Sequence, residues 1–302
     1  MFPTLSYLLR SITGWNLYLP VPTFGFFMAL AFWAAYAVFT LEFRRKQRLG
    51  VISPDIRIGP LMDRLLLWCG LIGFAGALLL AKLEDSYGLW HQPWRWLIRY
   101  HGLTYYGGLL FGAVTYLVIL HRRGISLATA ADIGSPGMLL AYAIGRLGCH
   151  LAGDGDWGIV NRLAKPGWLS WLPNEAWAAH YPHNVLRQGV FIPGCRLDYC
   201  AVLPDAVFPT SLYEFVVCLL LFFVLWGLRR RLTAPGLLFS VYALFIGVQR
   251  FLVEYIRITP RHVFWGWALS QAQLISLGFM LIGITGIGYI LTTSAKKAYF
   301  YS

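Results

Sequence analysis

Charge is what this sequence has least of. Only 13% of its 302 residues are Asp, Glu, Lys or Arg, while 58% are hydrophobic. A soluble domain carries about 25% charged residues. So little charge excludes a water-facing globule that hides its apolar surface in one core. Internal repeats and low-complexity linkers are also missing, which leaves a single domain over residues 1–302 as the simplest organisation. The first twenty residues lack the plan of a cleaved signal, because Pro3, Gly14 and Pro20 interrupt MFPTLSYLLRSITGWNLYLP and Arg10 sits inside it. A short amphipathic segment lying on a membrane surface fits them better. No His/Cys set has zinc spacing. Asp154 and Asp156 in GDGDWG fall short of the oxygen count and spacing of an EF-hand loop. Neither a metal nor a cofactor is expected.

What the chain does have is apolar length. Seven stretches approach the span of a bilayer, at about 22–43, 61–81, 103–121, 133–152, 210–228, 236–256 and 271–293. Helices are the reading, since lipid leaves no partner for an exposed backbone. The expected fold is all-α, a polytopic integral membrane protein of about seven transmembrane helices. A long loop region, 153–209, joins spans four and five, and a second long segment runs over 82–102. The first of these is rich in Trp, Pro and His (WLSWLPNEAWAAHYPHN). Loops of such length are functional or disordered, and the aromatic content argues for order near the membrane interface.

The net charge of +12 would suit nucleic acid, but its placement argues against that partner. The runs RRKQR (44–48), HRR (121–123), RRR (229–231) and KK (296–297) follow spans one, three, five and seven. Basic residues thus mark alternate loops, as cytoplasmic loops require, and the N-terminus faces outward. Cys69 and Cys218 fall in apolar spans and read as inert packing residues. Cys195 and Cys200, in CRLDYC, lie in the outward loop, where an oxidising compartment permits a disulfide; sequence leaves their pairing open.

The unusual polar residues gather at one face under this topology. GRLGCHLAGDGDWG (145–158) ends span four, HGLTYYGG (101–108) begins span three, FPTSLYE (208–214) opens span five, and RFLVEYIR (250–257) closes span six. Arg146, Asp154, Tyr106, Glu214, Arg250, Glu254 and Arg257 therefore come to similar depth. Ionisable residues in spans are expensive and normally functional. Arg250 and Glu254 stand i,i+4 on one helix face, and Arg257 continues it. Two readings of this set stay open. One is a structural salt bridge that locks helices. In the other, two arginines on one glutamate leave positive charge for an anionic ligand, and the arginine fork suits a pair of phosphate oxygens. Gly107, Gly108, Gly145, Gly148 and Gly153 permit close helix approach or leave room for a bulky ligand.

Together these segments resemble prolipoprotein diacylglyceryl transferases. The family signature G-R-[LI]-G-N-F, running through N-G-E toward W-G, matches at Gly145, Arg146, Leu147, Gly148, Gly153, Trp157 and Gly158. Cys149 and Ala152 stand where the family has asparagines, Asp154 where it has glutamate, and one extra residue precedes Trp157. A [FY]-[HY]-G-G element matches Tyr105 to Gly108, with Tyr106 where many members carry histidine; His101 does not align with it. H-P-[ST]-Q-L-Y-E appears as Phe208 to Glu214, without its histidine and glutamine. R-x-x-x-E-[FY]-x-R is intact at Arg250, Glu254, Tyr255 and Arg257. The four segments occur in the family's order, over about residues 20–293, in a divergent branch.

The resemblance implies an enzyme that moves diacylglycerol from phosphatidylglycerol to the lipobox cysteine thiol of a prolipoprotein signal peptide, the first step of bacterial lipoprotein maturation. It implies a multi-pass protein of the cytoplasmic (inner) membrane with its site toward the outer face, and membrane lipids as further partners. Arg146 and Arg250 would stabilise the departing phosphate. Tyr106 and Glu254 are candidates to take the thiol proton, because thiolate is the nucleophile. The two cations beside Glu254 favour an orienting role for it, and Tyr106 would otherwise orient the lipid. Arg257, Gly107, Gly108, Gly153, Asp154, Tyr213 and Glu214 would bind substrate. Cys149 is expected not to be a nucleophile, since the acceptor thiol belongs to the substrate. A catalytically silent member that binds anionic lipid or a partner protein is the main alternative. A transporter ranks last, because the polar residues cluster toward one face rather than along a full path.

Overall fold

The structure is a computed structural model of the chain. It describes all residues except 16, 85–89, 92–93, 95, 97–103, 196, 265–266 and 301–302. Most of the 82–102 segment, and His101, lie outside the described residues. The helices with described bounds are, in chain order, α1 (Leu5–Thr13), α2 (Thr23–Arg48), α3 (Ile58–Glu84), α4 (Tyr105–His121), α5 (Leu127–Ala152), α6 (Thr210–Leu228), α7 (Leu237–Val253) and α8 (Gln271–Phe300). Among the described residues six helices are long and apolar enough to cross a membrane, at 23–48, 58–83, 127–152, 210–228, 237–256 and 271–293. The third expected span, α4, is apolar but only 17 residues long, about 26 Å at the usual rise. The fold is nearly all-helical, as the apolar runs lead one to expect. Two short antiparallel strand pairs add to it: β1 (Val190–Phe191) with β2 (Ala201–Val202), and β3 (Arg261–Phe264) with β4 (Trp267–Ser270).

The chain divides into two compact units, residues 36–134 on the one hand and residues 1–35 with 135–302 on the other. The 36–134 unit has an apolar core of Phe43, Ile52, Ile58, Leu61, Met62, Leu65, Leu120, Ile125, Ala130 and Ile133. Its helices α3 and α4 meet along glycines. A Cβ on Gly73 would lie 3.2 Å from the Gly108 carbonyl oxygen, and one on Gly107 would overlap the Gly76 carbonyl and come within 2.9 Å of the Ala77 Cα. Small residues let two backbones approach in this way, which lipid-facing helices need because tails are as apolar as leucine.

In the larger unit α7 packs on α8 and beside α6. The α7–α8 seam is again close, since a Cβ on Gly247 would lie 2.9 Å from the Ser276 carbonyl oxygen. The long segment 153–209 is ordered by hydrogen bonds rather than by regular elements. It contains two 3₁₀ turns, Gly167–Leu169 and Asn174–Ala176, and the β1–β2 pair. Cys195 and Cys200 are joined by a disulfide, which settles the pairing that sequence leaves open. Residues 158–161 thread between two other strands of chain. Gly158 and Asn161 donate their N–H groups to the carbonyls of Phe208 and Ala206, both at 2.8 Å, and Ile159 donates to that of Ile256 at 2.9 Å. A bridge pairs Gly158 with Arg257. The start of α6 and the end of α7 are thereby tied to the loop that follows α5.

Candidate active site

Three helix ends and one loop converge on a group of arginines and carboxylates. Arg146 comes from the last two turns of α5, Glu214 from the first turns of α6, Arg250 from the end of α7, and Glu254 from the 3₁₀ turn Glu254–Ile256 that follows it. Arg257 is held by a backbone bridge to Gly158, two residues after Asp156. Glu214 lies at the centre, fully buried. Its Oε1 accepts from Arg250 Nη1 at 2.9 Å and from the Tyr142 hydroxyl at 2.8 Å. Its Oε2 faces Arg146 Nε at 3.2 Å and Arg257 Nη1 at 3.3 Å. Arg250 Nη2 pairs with Glu254 Oε2 at 2.9 Å, and Arg257 Nε stands 3.9 Å from the same oxygen. Asp156 closes the group by pairing Oδ2 with Arg146 and Oδ1 with Arg257.

Sequence leads one to expect two arginines on one glutamate with positive charge to spare. The structure places three arginines on three carboxylates, so among the described residues the group is balanced. Asp156 is the acid that the i,i+4 pattern could not supply, because it arrives from a loop. Burial pushes its carboxyl up, but Arg146 and Arg257 outweigh burial and bring it down to about 2. Asp154, expected here as a ligand of the substrate, makes none of these pairs. Its carboxylate faces the Cys149 thiol, and burial together with the neighbouring Asp156 pushes its pKa up. Cys149, Asp154 and Asp156 bring their donor atoms within 4.8 Å of one another. A cation there would have to share Asp156 with two guanidinium groups, and their charge opposes it.

Tyr142, like Asp156, is a site residue that sequence reasoning missed. It lies one helical turn before Arg146, so a shared face was readable from the spacing. Its hydroxyl fixes Glu214, and its ring carries the Arg146 guanidinium at 4.9 Å from the centroid. Tyr213 is half-buried, and its hydroxyl donates to the Trp177 carbonyl at 3.1 Å, steadying the long segment. Gly153 ends α5 in the left-handed region at φ 65°, the usual way a glycine closes a helix, and its N–H donates to the Cys149 carbonyl at 3.0 Å. A Cβ there would press on Asn184. Asn184 is itself fully buried; its amide donates to the Gln188 carbonyl at 2.9 Å and its carbonyl accepts from the Gln188 N–H at the same distance. That asparagine braces a strained turn, since Tyr181 and His183 both hold positive φ. The Tyr181 ring packs 5.2 Å from that of Trp157, directly beside Asp156 in the chain.

Tyr106, Gly107 and Gly108 stand in the first turn of α4, in the 36–134 unit. The structure gives Gly107 a packing part against α3, as described above. The arginine group lies wholly in the other unit.

Glu254 combines two environments. It is buried, its Oε2 faces both flanking arginines, and its Oε1 has no hydrogen-bond partner among the described residues. A buried acceptor without a donor is uncommon and marks a place where a donor can arrive.

Comparison with known proteins places the chain in a family. The family model described as prolipoprotein diacylglyceryl transferase matches residues 13–289. The chain is 28% identical over 258 residues to the phosphatidylglycerol–prolipoprotein diacylglyceryl transferase of Gloeobacter violaceus, covering 82% of this chain and 83% of that one. It is 25% identical over 282 residues to transferase 1 of that name from Clostridium perfringens, covering 91% and 92%. It is 32% identical over 197 residues to that of Cutibacterium acnes, covering 65% and 56%. A match over this much of the chain, on a multi-pass membrane protein with its arginines and acids drawn together from three helix ends, has one conclusion: the chain belongs to the prolipoprotein diacylglyceryl transferase family.

Proposed function

We propose that this chain transfers the diacylglyceryl group of phosphatidylglycerol to the lipobox cysteine thiol of prolipoprotein signal peptides. The observation that carries the reading is the meeting of Arg146, Arg250 and Arg257 around the buried Glu214. Arginine is costly near a membrane span and is kept there for function. Its planar fork suits phosphate. In the proposed step a thiolate attacks the glycerol carbon bonded to the phosphate ester. The S–C bond forms and the C–O bond breaks. The electron pair leaves on the phosphate oxygen of glycerol-1-phosphate, where the arginines stabilise it. The thiol proton passes to a base.

Glu254 is assigned two tasks, one for each oxygen. Oε2 holds Arg250 and Arg257 in direction. Oε1, without a donor of its own, is placed to receive a substrate donor, either the thiol or a glycerol hydroxyl. Tyr106 is proposed to orient the lipid or to share the proton transfer, and Gly107, Gly108, Gly153, Tyr213 and Asp154 to shape the substrate's surroundings. The residues that replace the family's histidines and asparagines, Tyr106, Phe208, Cys149 and Ala152, favour the second reading, a member that binds lipid without transferring it.

The deciding experiment incubates the purified protein with phosphatidylglycerol and a lipobox-cysteine peptide, and follows the peptide's mass. A gain of one diacylglyceryl group, absent for a serine peptide, is expected. Lipid binding with no mass gain would select the silent reading. The protein is further proposed to sit in the bacterial inner membrane with this site on the outer face. In a background without free thiols, a cysteine at Trp171 should then label in intact spheroplasts, and one at Arg123 only after permeabilisation. The reverse pattern would place the site on the cytoplasmic face.

A further inference from the structure

We propose that Asp156 is a displaceable counter-ion: it holds the place of the lipid phosphate between Arg146 and Arg257 and vacates it when phosphatidylglycerol binds. The inference rests on the function proposed above and adds a residue that sets how tightly the site holds its substrate and product.

Four observations carry it. First, the carboxylate imitates the ligand. Its two oxygens sit on different guanidinium groups, Oδ2 on Arg146 and Oδ1 on Arg257, as two non-bridging phosphate oxygens would. Second, the charge count forces an exchange. Three arginines already face three carboxylates, and a phosphate added to that set would be a fourth anion on three cations. Third, access selects which acid leaves. The side chains of Glu214 and Glu254 are 0% and 1% exposed, whereas that of Asp156 is 27% exposed. A phosphate that arrives from outside therefore meets Asp156 before it meets the other two. Fourth, the backbone under Asp156 is fixed, with Thr210 Oγ1 donating to its carbonyl at 2.6 Å and Gly158 donating to Phe208. The exchange is therefore a turn of the side chain and leaves the loop in place.

The exchange also serves the end of the reaction. Glycerol-1-phosphate leaves as a monoester and carries more negative charge than the diester that entered. It would hold the arginines more tightly than the substrate did. A carboxylate tethered beside the site competes with it at high effective concentration and speeds its release.

The test compares wild type with Asp156→Asn and Asp156→Glu in non-ionic detergent. Dihexanoyl phosphatidylglycerol is titrated by calorimetry, with dihexanoylglycerol as the phosphate-free control, and thermal unfolding shows that each variant is folded. Asp156→Asn removes the competing charge at constant size. It should bind the short-chain lipid about fivefold more tightly and be inhibited by glycerol-1-phosphate at about fivefold lower concentration. Its kcat should fall while KM for the lipid also falls, and Asp156→Glu should restore both toward wild type. A merely structural Asp156 predicts weaker binding in the asparagine variant. Folded Asp156→Asn with unchanged or weaker lipid binding overturns the exchange and leaves phosphate recognition standing. No binding by wild type or variant overturns phosphate recognition itself.

Discussion

The 36–134 unit and the arginine group solve the same problem by opposite means. In the first, Phe43, Met62, Leu120 and Ile133 are buried among their like, and α3 and α4 approach through glycines. Each residue there adds its own area, and loss of one leaves the others in place. In the second, Glu214 is buried only because three arginines and Tyr142 surround it. Burial of a charge is tolerable when it is paired and costly when a partner is removed. The apolar unit should therefore yield gradually to substitution, and the charged group abruptly.

That contrast can be tested by substitution. The largest effect is expected for Glu214→Gln, which leaves three partly buried arginines short of a counter-charge. A loss of about 3–5 kcal/mol should appear as a lower unfolding temperature in detergent, together with lost transfer. Arg146→Ala comes next, with transfer falling about 100- to 1,000-fold and membrane insertion unchanged; Arg146→Lys should keep most of that defect, because the ammonium has no fork. Unaltered transfer in the lysine variant would remove the two-pronged recognition of phosphate. In the apolar unit, Leu120→Ala should cost about 3 kcal/mol, and Gly107→Val about 1–3 kcal/mol by forcing α3 from α4, with transfer per folded molecule retained for the leucine variant. Equal losses of transfer and stability in Leu120→Ala would show that the two regions are not independent.

Glu254→Gln separates the duties of its two oxygens. An orienting Oε2 predicts weaker lipid binding with slower transfer. A proton-accepting Oε1 predicts near-normal binding, little transfer, and partial rescue at higher pH, where the peptide thiol ionises unaided. The smallest effect concerns acid. Asp156 is held at about 2, below its ordinary 3.8, so its contribution to stability is present above the ordinary value. It is lost as pH falls through the folded one. The unfolding temperature should drop between about pH 4 and pH 2, by a few degrees less in Asp156→Asn than in wild type.

Much of this was legible in the sequence, and the reason is the cost of charge near lipid. Apolar length located the spans, and Arg146, Glu214, Arg250, Glu254 and Arg257 stood out because each is rare in such surroundings. The i,i+4 spacing of Arg250 and Glu254 survives as a 2.9 Å ion pair even though Glu254 has left the α-helix for a 3₁₀ turn. Where periodicity ends, so did legibility. Asp156 and Asp154 are two residues apart in a loop, and only the backbone path decides which of them meets the arginines. The β3–β4 pair was missed because residues 257–270 carry no clean alternation. Gly107 could be read as packing or as room for a ligand, and the packing part became visible only with the Gly76 carbonyl beside it. Tyr142 went unnoticed although it is four residues from Arg146, since a tyrosine in an apolar helix draws no attention by composition.

The bridge between Gly158 and Arg257 bears on how such a site diversifies over generations. It pins the loop downstream of the acids, with Ile159 and Asn161 hydrogen-bonded on either side. Arg146 and Arg250 are pinned by their helices, and Arg257 by the bridge itself. Only the few residues from Gly153 to Trp157 lie between those anchors, and glycines at 153 and 155 there take backbone angles open to few other residues. An insertion or deletion in that short interval changes which carboxylate is presented without moving what it is presented to. The interval is a short cassette between fixed ends, and on the proposed function a change in its length would retune the hold on an anionic lipid while the membrane helices stay untouched.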